Sequence, residues 1–139
     1  MPTMQRGGVP VPSVTVELPC IDNLTGNHSH VKGKGRMAGR MVLRREVRDW
    51  QVKCSLVVMC ELGRCPDWDD VHTPTELRVR IDQHTNRRVD EDNRAKPVWD
   101  MLKLATGLDD KHYKPVPGKF IMTPAAQASL VITLEWDTK

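Results

Sequence analysis

Between Arg87 and Asp110 the chain concentrates side chains able to handle a phosphate: Arg87-Arg88-Val89-Asp90-Glu91-Asp92-Asn93-Arg94-Ala95-Lys96, then Leu108-Asp109-Asp110. If residues 89–92 are extended, the period of two puts Asp90 and Asp92 on one face and Glu91 on the other. Two converging carboxylates repel, and without compensation one of them takes up a proton. A divalent cation removes the conflict, and hard Mg²⁺ prefers carboxylate oxygens together with retained waters. Arg88, Arg94 and Lys96 add positive charge beside them. A phosphate then fits between metal and basic side chains, the arrangement that phosphodiester hydrolysis requires. A plainer reading serves the same residues. Asp90, Asp92 or Asn93 cap a helix by accepting its free N–H groups, and Lys96 is a surface lysine paired with Asp92 or Asp100.

The whole spacing, Asp90-x-Asp92-Asn93-x-x-Lys96-x-x-x-Asp100-x-Leu102 followed by Leu108-Asp109-Asp110, closely resembles the RusA-like Holliday junction endodeoxyribonucleases. These are small phage and bacterial enzymes of DNA recombination and repair. The strong part of the resemblance covers residues 87–110. A weaker part sets a strand ending in Leu18-Pro19, a central helix and a C-terminal strand in the family's order. The resemblance implies a homodimer that binds four-way DNA junctions and cuts two opposed strands with Mg²⁺, or with Mn²⁺ in its place. It further implies that Asp90, Asp92 and Asp110 are catalytic metal ligands, with Asp109 adjacent as a further candidate ligand, and that Lys96 is the catalytic lysine. Val89 stands where the family carries a basic residue, with Arg88 and Arg87 displaced toward the N-terminus.

Other segments must position these groups. Val14, Val16 and Leu18 alternate with Ser13, Thr15 and Glu17, the pattern of a half-buried strand that Pro19 stops. Leu77, Val79 and Ile81 repeat the pattern over residues 76–81, and Leu130, Ile132 and Leu134 do so over 128–136. Residues 37–62 read as a helix with Gly63 as its stop, and 82–88 as a polar stretch. Val98, Met101, Leu102 and Ala105 recur at helical spacing, with the start placed near Lys96, Pro97 at the first position and Gly107 as the stop. The Pro/Gly-rich residues 114–118 suggest a hairpin, residues 1–12 a loose arm, and 22–39 a long basic loop. Strands alternating with helices make a compact α/β (α+β) fold, a small mixed sheet packed with two main helices in one domain over residues 1–139, which the resemblance implies is a RusA-like nuclease domain. A straight second helix holds Asp110 away from Asp90 and Asp92 unless the chain doubles back after Gly107. A two-fold dimer that brings Asp110 of one subunit to the other's Asp90 and Asp92 is the alternative route.

At 139 residues and 15.8 kDa, with 39% apolar and 28% charged residues, the chain has the composition of an ordinary globular domain rather than a disordered or membrane segment. Residues 1–9 carry neither a signal-peptide nor a transit-peptide pattern. The expectation is therefore a cytoplasmic protein with no membrane partner, in a bacterial or phage-infected cell. Four Trp, one Tyr and one Phe are too few for a broad base-stacking platform.

The net charge of +3 is uneven: through Lys53 nine Lys/Arg face four Asp/Glu, and beyond it twelve face fourteen. Polyanionic DNA suits such a basic surface. Candidate phosphate contacts are Lys32, Lys34, Arg36 and Arg40 of the loop, Arg44, Arg45 and Arg48 of the first helix, and Arg87, Arg88 and Arg94 beside the carboxylates. His28 and His30 lie within that basic loop. Cys20, Cys54, Cys60 and Cys65 lack CxxC spacing, which argues against a disulfide framework, and Cys54 and Cys60 fall in an apolar stretch as small core residues. A zinc site from Cys20, His28 and His30 is disfavoured by irregular spacing. Two other classes stay open beside the nuclease: a non-catalytic DNA-binding module of the same fold, and an interaction or regulatory protein whose carboxylates are only caps.

Overall fold

The computed structural model of the chain describes residues 5–6, 9–21, 24–25, 30–33, 41–68 and 74–137. Alternation decides the strands. In β3 (Ser13–Pro19) Val14, Val16 and Leu18 are buried while Thr15 and Glu17 are exposed. The C-terminal strand β9 (Ser129–Glu135) runs antiparallel to it, Val16 opposite Ile132 and Leu18 opposite Leu130. The other side of β9 pairs antiparallel with β6 (Leu77–Thr85), the centre of the sheet. Two short strands divide the remaining edge of β6, both parallel to it. β7 (Tyr113–Val116) lies along the first half and β8 (Phe120–Met122) along the second, completing a mixed five-stranded sheet.

Two helices cover one face of that sheet. Helix α1 (Arg45–Gly63) turns Val47, Trp50, Cys54, Val58 and Leu62 inward at the three- and four-residue spacing of an amphipathic helix. Helix α2 (Glu91–Thr106) contributes Val98, Met101 and Leu102, and these side chains form one core with Leu130, Ile132 and Leu134 of β9. Burial pushes the Cys54 thiol up to about 11, so it is neutral in this core. Gln51 of α1 donates through Nε2 to the Pro97 carbonyl of α2 at 3.1 Å, and Trp50 Nε1 donates to the Pro19 carbonyl at 2.6 Å. These bonds fix α1 to both α2 and the exit of β3. The outer face of the sheet is polar: Arg78 meets Asp137 at 3.3 Å and Glu135 at 3.8 Å, and Arg80 meets Asp82 at 3.3 Å.

The mixed α+β architecture agrees with the sequence pattern, while several boundaries differ from it. Residues 114–118 make no hairpin, since β7 and β8 each pair with β6 instead of with one another. Gly118 lies between them, and a Cβ there would overlap the Ile81 carbonyl of β6. Gly118→Ala is accordingly expected to destabilise the fold by about 3 kcal/mol, the upper range for overpacking, with the shift in urea midpoint as the measurement. An unchanged midpoint would mean that the backbone moves aside freely.

Strand β6 runs through the stretch read as polar because Asp82, Gln83 and Thr85 are buried with partners. Helix α1 begins at Arg45 rather than residue 37, since Met41–Leu43 forms β5 and pairs with β4 (His30–Lys32) inside the stretch read as loop. The arm likewise holds a short ladder, β1 (Gln5–Arg6) with β2 (Val9–Pro10), and Val11 is buried. Cys60 is exposed rather than a core residue, and all four cysteines are free thiols. No helix among the described residues is long and apolar enough to cross a membrane.

Candidate active site

The turn between β6 and α2 is held by the strand that precedes it. Gln83, 2% exposed, donates through Nε2 to the Val89 carbonyl at 2.6 Å and accepts the Val89 N–H through Oε1 at 3.1 Å. Thr85 Oγ1 donates to the Arg87 carbonyl at 2.7 Å. A two-pronged bond to one backbone unit leaves little rotational freedom, so the residue after it is delivered to a fixed place. That residue is Asp90, the N-cap of α2, in extended conformation (φ −53°, ψ 135°). Gln83 and Thr85 escape sequence reading because their roles depend on a turn that alternation does not reveal.

The expectation that residues 89–92 are extended is corrected here: α2 starts at Glu91, and Asp92 belongs to its first turn. Pro97 lies inside the helix instead of opening it. Glu91 and Asp92 favour the positive end of the helix dipole, and the buried face of Pro97, Val98 and Met101 sustains the helix through the bond that Pro97 cannot donate. Lys96 is therefore one turn into the helix rather than at its mouth. The four-residue interval sets it on the face of Asp92.

Asp90 and Asp92 nonetheless share a cavity wall with Arg88 and Glu91. Both aspartates are exposed, and Asp90 makes no side-chain cap. Among the described residues neither carboxylate has a hydrogen-bond or ion-pair partner, and Lys96, also exposed, pairs with neither Asp92 nor Asp100. The capping and surface-pair readings thus lose their contacts. Glu91 is committed elsewhere, its Oε1 accepting the Gly118 N–H at 2.9 Å. Two uncommitted carboxylates on one wall match the donor set of Mg²⁺, which takes one or two carboxylates and completes its shell with water and phosphate oxygens.

Asp109 and Asp110 lie beyond the opposite end of α2. Gly107 ends the helix in left-handed conformation (φ 74°), its N–H bonded to the Lys103 carbonyl. Tyr113 then pins the exit, its hydroxyl donating to the Leu108 carbonyl at 2.9 Å. Lys103 Nζ holds Asp109 at 3.6 Å and Asp110 at 3.7 Å. The N–H of Asp110 holds the Asp109 carboxyl below its ordinary range, against partial desolvation and with help from Lys103. At about 1.5 Å per residue, the helix between Asp92 and Thr106 spans on the order of 20 Å. Among the described residues, no group of three or more His, Cys, Asp or Glu comes together as a metal cluster. A single chain therefore brings Asp90 and Asp92 together and leaves Asp109 and Asp110 apart.

The basic residues divide in the same way. Arg87 and Arg88 are exposed on the turn, and Arg45 and Arg48 are exposed in the opening turns of α1 beside half-buried Arg44. Lys32 is exposed on β4. Arg94 is not a surface contact: it is 4% exposed, and Nη1 donates to the Leu24 carbonyl at 2.7 Å. Burial pulls its guanidinium below the usual arginine range, the nearby Cys20 sulfur opposing. Lys34, Arg36, Arg40 and His28 lie outside the described residues, as does the side chain of His30, so the zinc trio of Cys20, His28 and His30 is described only at Cys20. Comparison with known protein families and with curated proteins finds no match for this chain.

Proposed function

We propose that this chain is a divalent-metal-dependent endonuclease acting on branched DNA, as its resemblance to the RusA-like junction enzymes implies. The observation that carries this reading is the pair of uncommitted carboxylates, Asp90 and Asp92, beside Arg88, with Lys96 one helical turn on from Asp92. A buried bracket from Gln83 holds Asp90 in place. Asp90 and Asp92 would hold Mg²⁺ or Mn²⁺, which supplies a Lewis acid for phosphodiester hydrolysis. Lys96 then stabilises charge that grows on the phosphate and the leaving oxygen as water adds across the P–O bond. Arg88 and Arg87 hold the neighbouring backbone, while Arg45, Arg48 and Lys32 contact flanking phosphates without reading sequence. The proposed setting is the cytoplasm of a bacterial or phage-infected cell, and the working form is a homodimer with no membrane contact.

The experiment is incubation of the purified protein with a synthetic four-way junction in Mg²⁺ and in EDTA. Paired cuts in opposed strands, dependent on Mg²⁺, are expected. A second reading, a DNA-binding module without cleavage, draws on the separation of Asp110 from Asp90 and Asp92. It predicts salt-sensitive gel shifts in EDTA and no nicks in Mg²⁺.

Lys96→Ala distinguishes two roles for the lysine. A group acting on transition-state charge is worth about 100-fold in turnover and little in affinity. Single-turnover cleavage at saturating protein is therefore expected to fall by that order, with the gel-shift midpoint nearly unchanged. Normal turnover with weakened binding would make Lys96 a DNA-positioning residue.

A further inference from the structure

A second cavity adjoins the carboxylate wall and shares Arg88 and Asp90 with it. Its volume is about 590 Å³. It lies where three distant segments meet: the exit of β3 at Cys20 and Ile21, the turn from β6 into α2, and the residues before β9 at Ala125 and Ala128. Backbone pairing closes the junction, with the Cys20 N–H donating to the Ala128 carbonyl at 3.1 Å.

The chemistry of this cavity is that of an anion receptor. Arg94 lines it at 4% exposure, and only its Nη1 has a described partner, the Leu24 carbonyl. Its Nε is buried with no hydrogen bond, and among the described residues no carboxylate pairs with the guanidinium. A buried cation with no carboxylate beside it among the described residues is costly, and an anion held in the adjoining cavity recovers part of that cost through its charge. Independently, the N-terminal turn of α2 borders the same space through Asp90 and Asn93. Its first N–H groups have no intrahelical acceptor, and Asp90 gives no side-chain cap. These N–H groups can meet a phosphate, while Glu91 and Asp92 of the same turn oppose it, so the attraction must come from the arginines. Arg87 and Arg88 stand at the wall, so among the described residues that line it the arginines outweigh the carboxylate of Asp90.

A bare phosphate leaves most of this volume empty. The remaining surface suits the rest of a nucleotide: Ile21, Val89 and Ala128 give apolar contact, and Asn86 and Asn93 give amides able to meet a base edge. We infer that this cavity binds one nucleotide of DNA, its phosphate held by Arg94 and the N-terminal turn of α2. Such a pocket takes a nucleotide displaced from a duplex or already unpaired at a branch. The inference is independent of cleavage, because binding requires neither metal nor turnover.

The test is calorimetric titration of the whole chain in EDTA with the 5′-deoxymononucleotides, deoxynucleosides and inorganic phosphate. Mononucleotides are expected to bind at least about tenfold more tightly than nucleosides, the worth of one charge-assisted hydrogen bond. They are also expected to bind more tightly than inorganic phosphate. Arg94→Met, which keeps the bulk and removes the charge, is expected to lose that advantage while retaining a cooperative melt. If Arg94→Met does not fold, Ala125→Glu decides, since it adds a carboxylate at an exposed position on the rim and is expected to weaken mononucleotide binding by the same order. Equal affinity for nucleoside and nucleotide overturns the phosphate site. Equal affinity for inorganic phosphate overturns the nucleotide assignment, and unchanged binding in folded Arg94→Met or in Ala125→Glu overturns the location.

Discussion

Asp90→Asn and Asp92→Asn are each expected to reduce Mg²⁺-dependent nicking of a four-way junction by more than about 100-fold, since even residues behind a metal's direct ligands cost 10- to 100-fold. Neither change should unfold the protein. Asp90 makes no cap that the substitution removes, and Asn is itself a good N-cap residue. Asp92 is exposed in the first turn and has no described partner to lose. In EDTA both variants are expected to bind the junction as well as the parent or better, because a negative charge facing the phosphate is gone. The paired measurements are cleavage in Mg²⁺ and gel shift in EDTA, with thermal melts as the control for folding. Full nicking by either variant would remove that carboxylate from the mechanism. Weakened EDTA binding with nicking reduced in proportion would instead make the aspartates part of DNA docking.

Strand β3 was legible because solvent enforces its alternation, and β9 because Leu130, Ile132 and Leu134 keep the same period although its other face is largely covered as well. Ser13–Pro19 and Ser129–Glu135 occur close to where Val14, Val16, Leu130 and Ile132 place them. Strand β6 was legible only in its first half. Its second half buries Asp82 and Gln83, whose polarity reads as a loop until Lys119 and Val89 supply their partners. Helix α1 was blurred for a related reason: Val52, Leu56, Val57 and Met59 are apolar yet exposed, so the helix lacks a clean polar face.

At α2 one residue misled. Pro97 is favoured at a first helical position, and only the packing around it shows that the helix already began at Glu91. The helical interval of four still sets Lys96 on the face of Asp92, while the cavity wall that Asp90 and Asp92 share is lined by Arg88 and Glu91 and not by Lys96. The sequence offers Arg94 as a surface phosphate contact and does not show that it is buried. Its burial depends on Leu24, and the cavity it lines depends on Ala125 and Ala128, all far from it in the chain.

The separation of Asp110 from Asp90 and Asp92 leads to the second large effect. Gly107 turns the chain away from α2, Tyr113 pins Leu108, and Lys103 holds Asp109 and Asp110 at the helix end. The chain runs back toward the start of α2 only after Asp110, along β7 and β8, with the Gly118 N–H meeting Glu91. Asp110 itself remains on the order of 20 Å of helix from Asp92, whereas ligands of Mg²⁺ lie within about 2.1 Å of it. If Asp110 is a ligand, as the family resemblance implies, it must come from a second copy. A two-fold dimer then contains two equivalent sites, each with Asp90 and Asp92 from one protomer and Asp110 from its partner.

Mixing two inactive variants, Asp90→Asn and Asp110→Asn, tests this arrangement. In the heterodimer one site carries both substitutions and the other carries neither. Random exchange makes half the dimers mixed, so about a quarter of the parental nicking is expected to return under two-fold pairing. The recovered cuts should fall on one strand per junction rather than two, because each mixed dimer has a single intact site. Subunit exchange is verified by differently tagged copies, and each variant alone supplies the inactive baseline. Exchange without recovered nicking would place Asp110 outside the site or require a different dimer. An Asp110→Asn protein as active as the parent would show that Asp90 and Asp92 act without it.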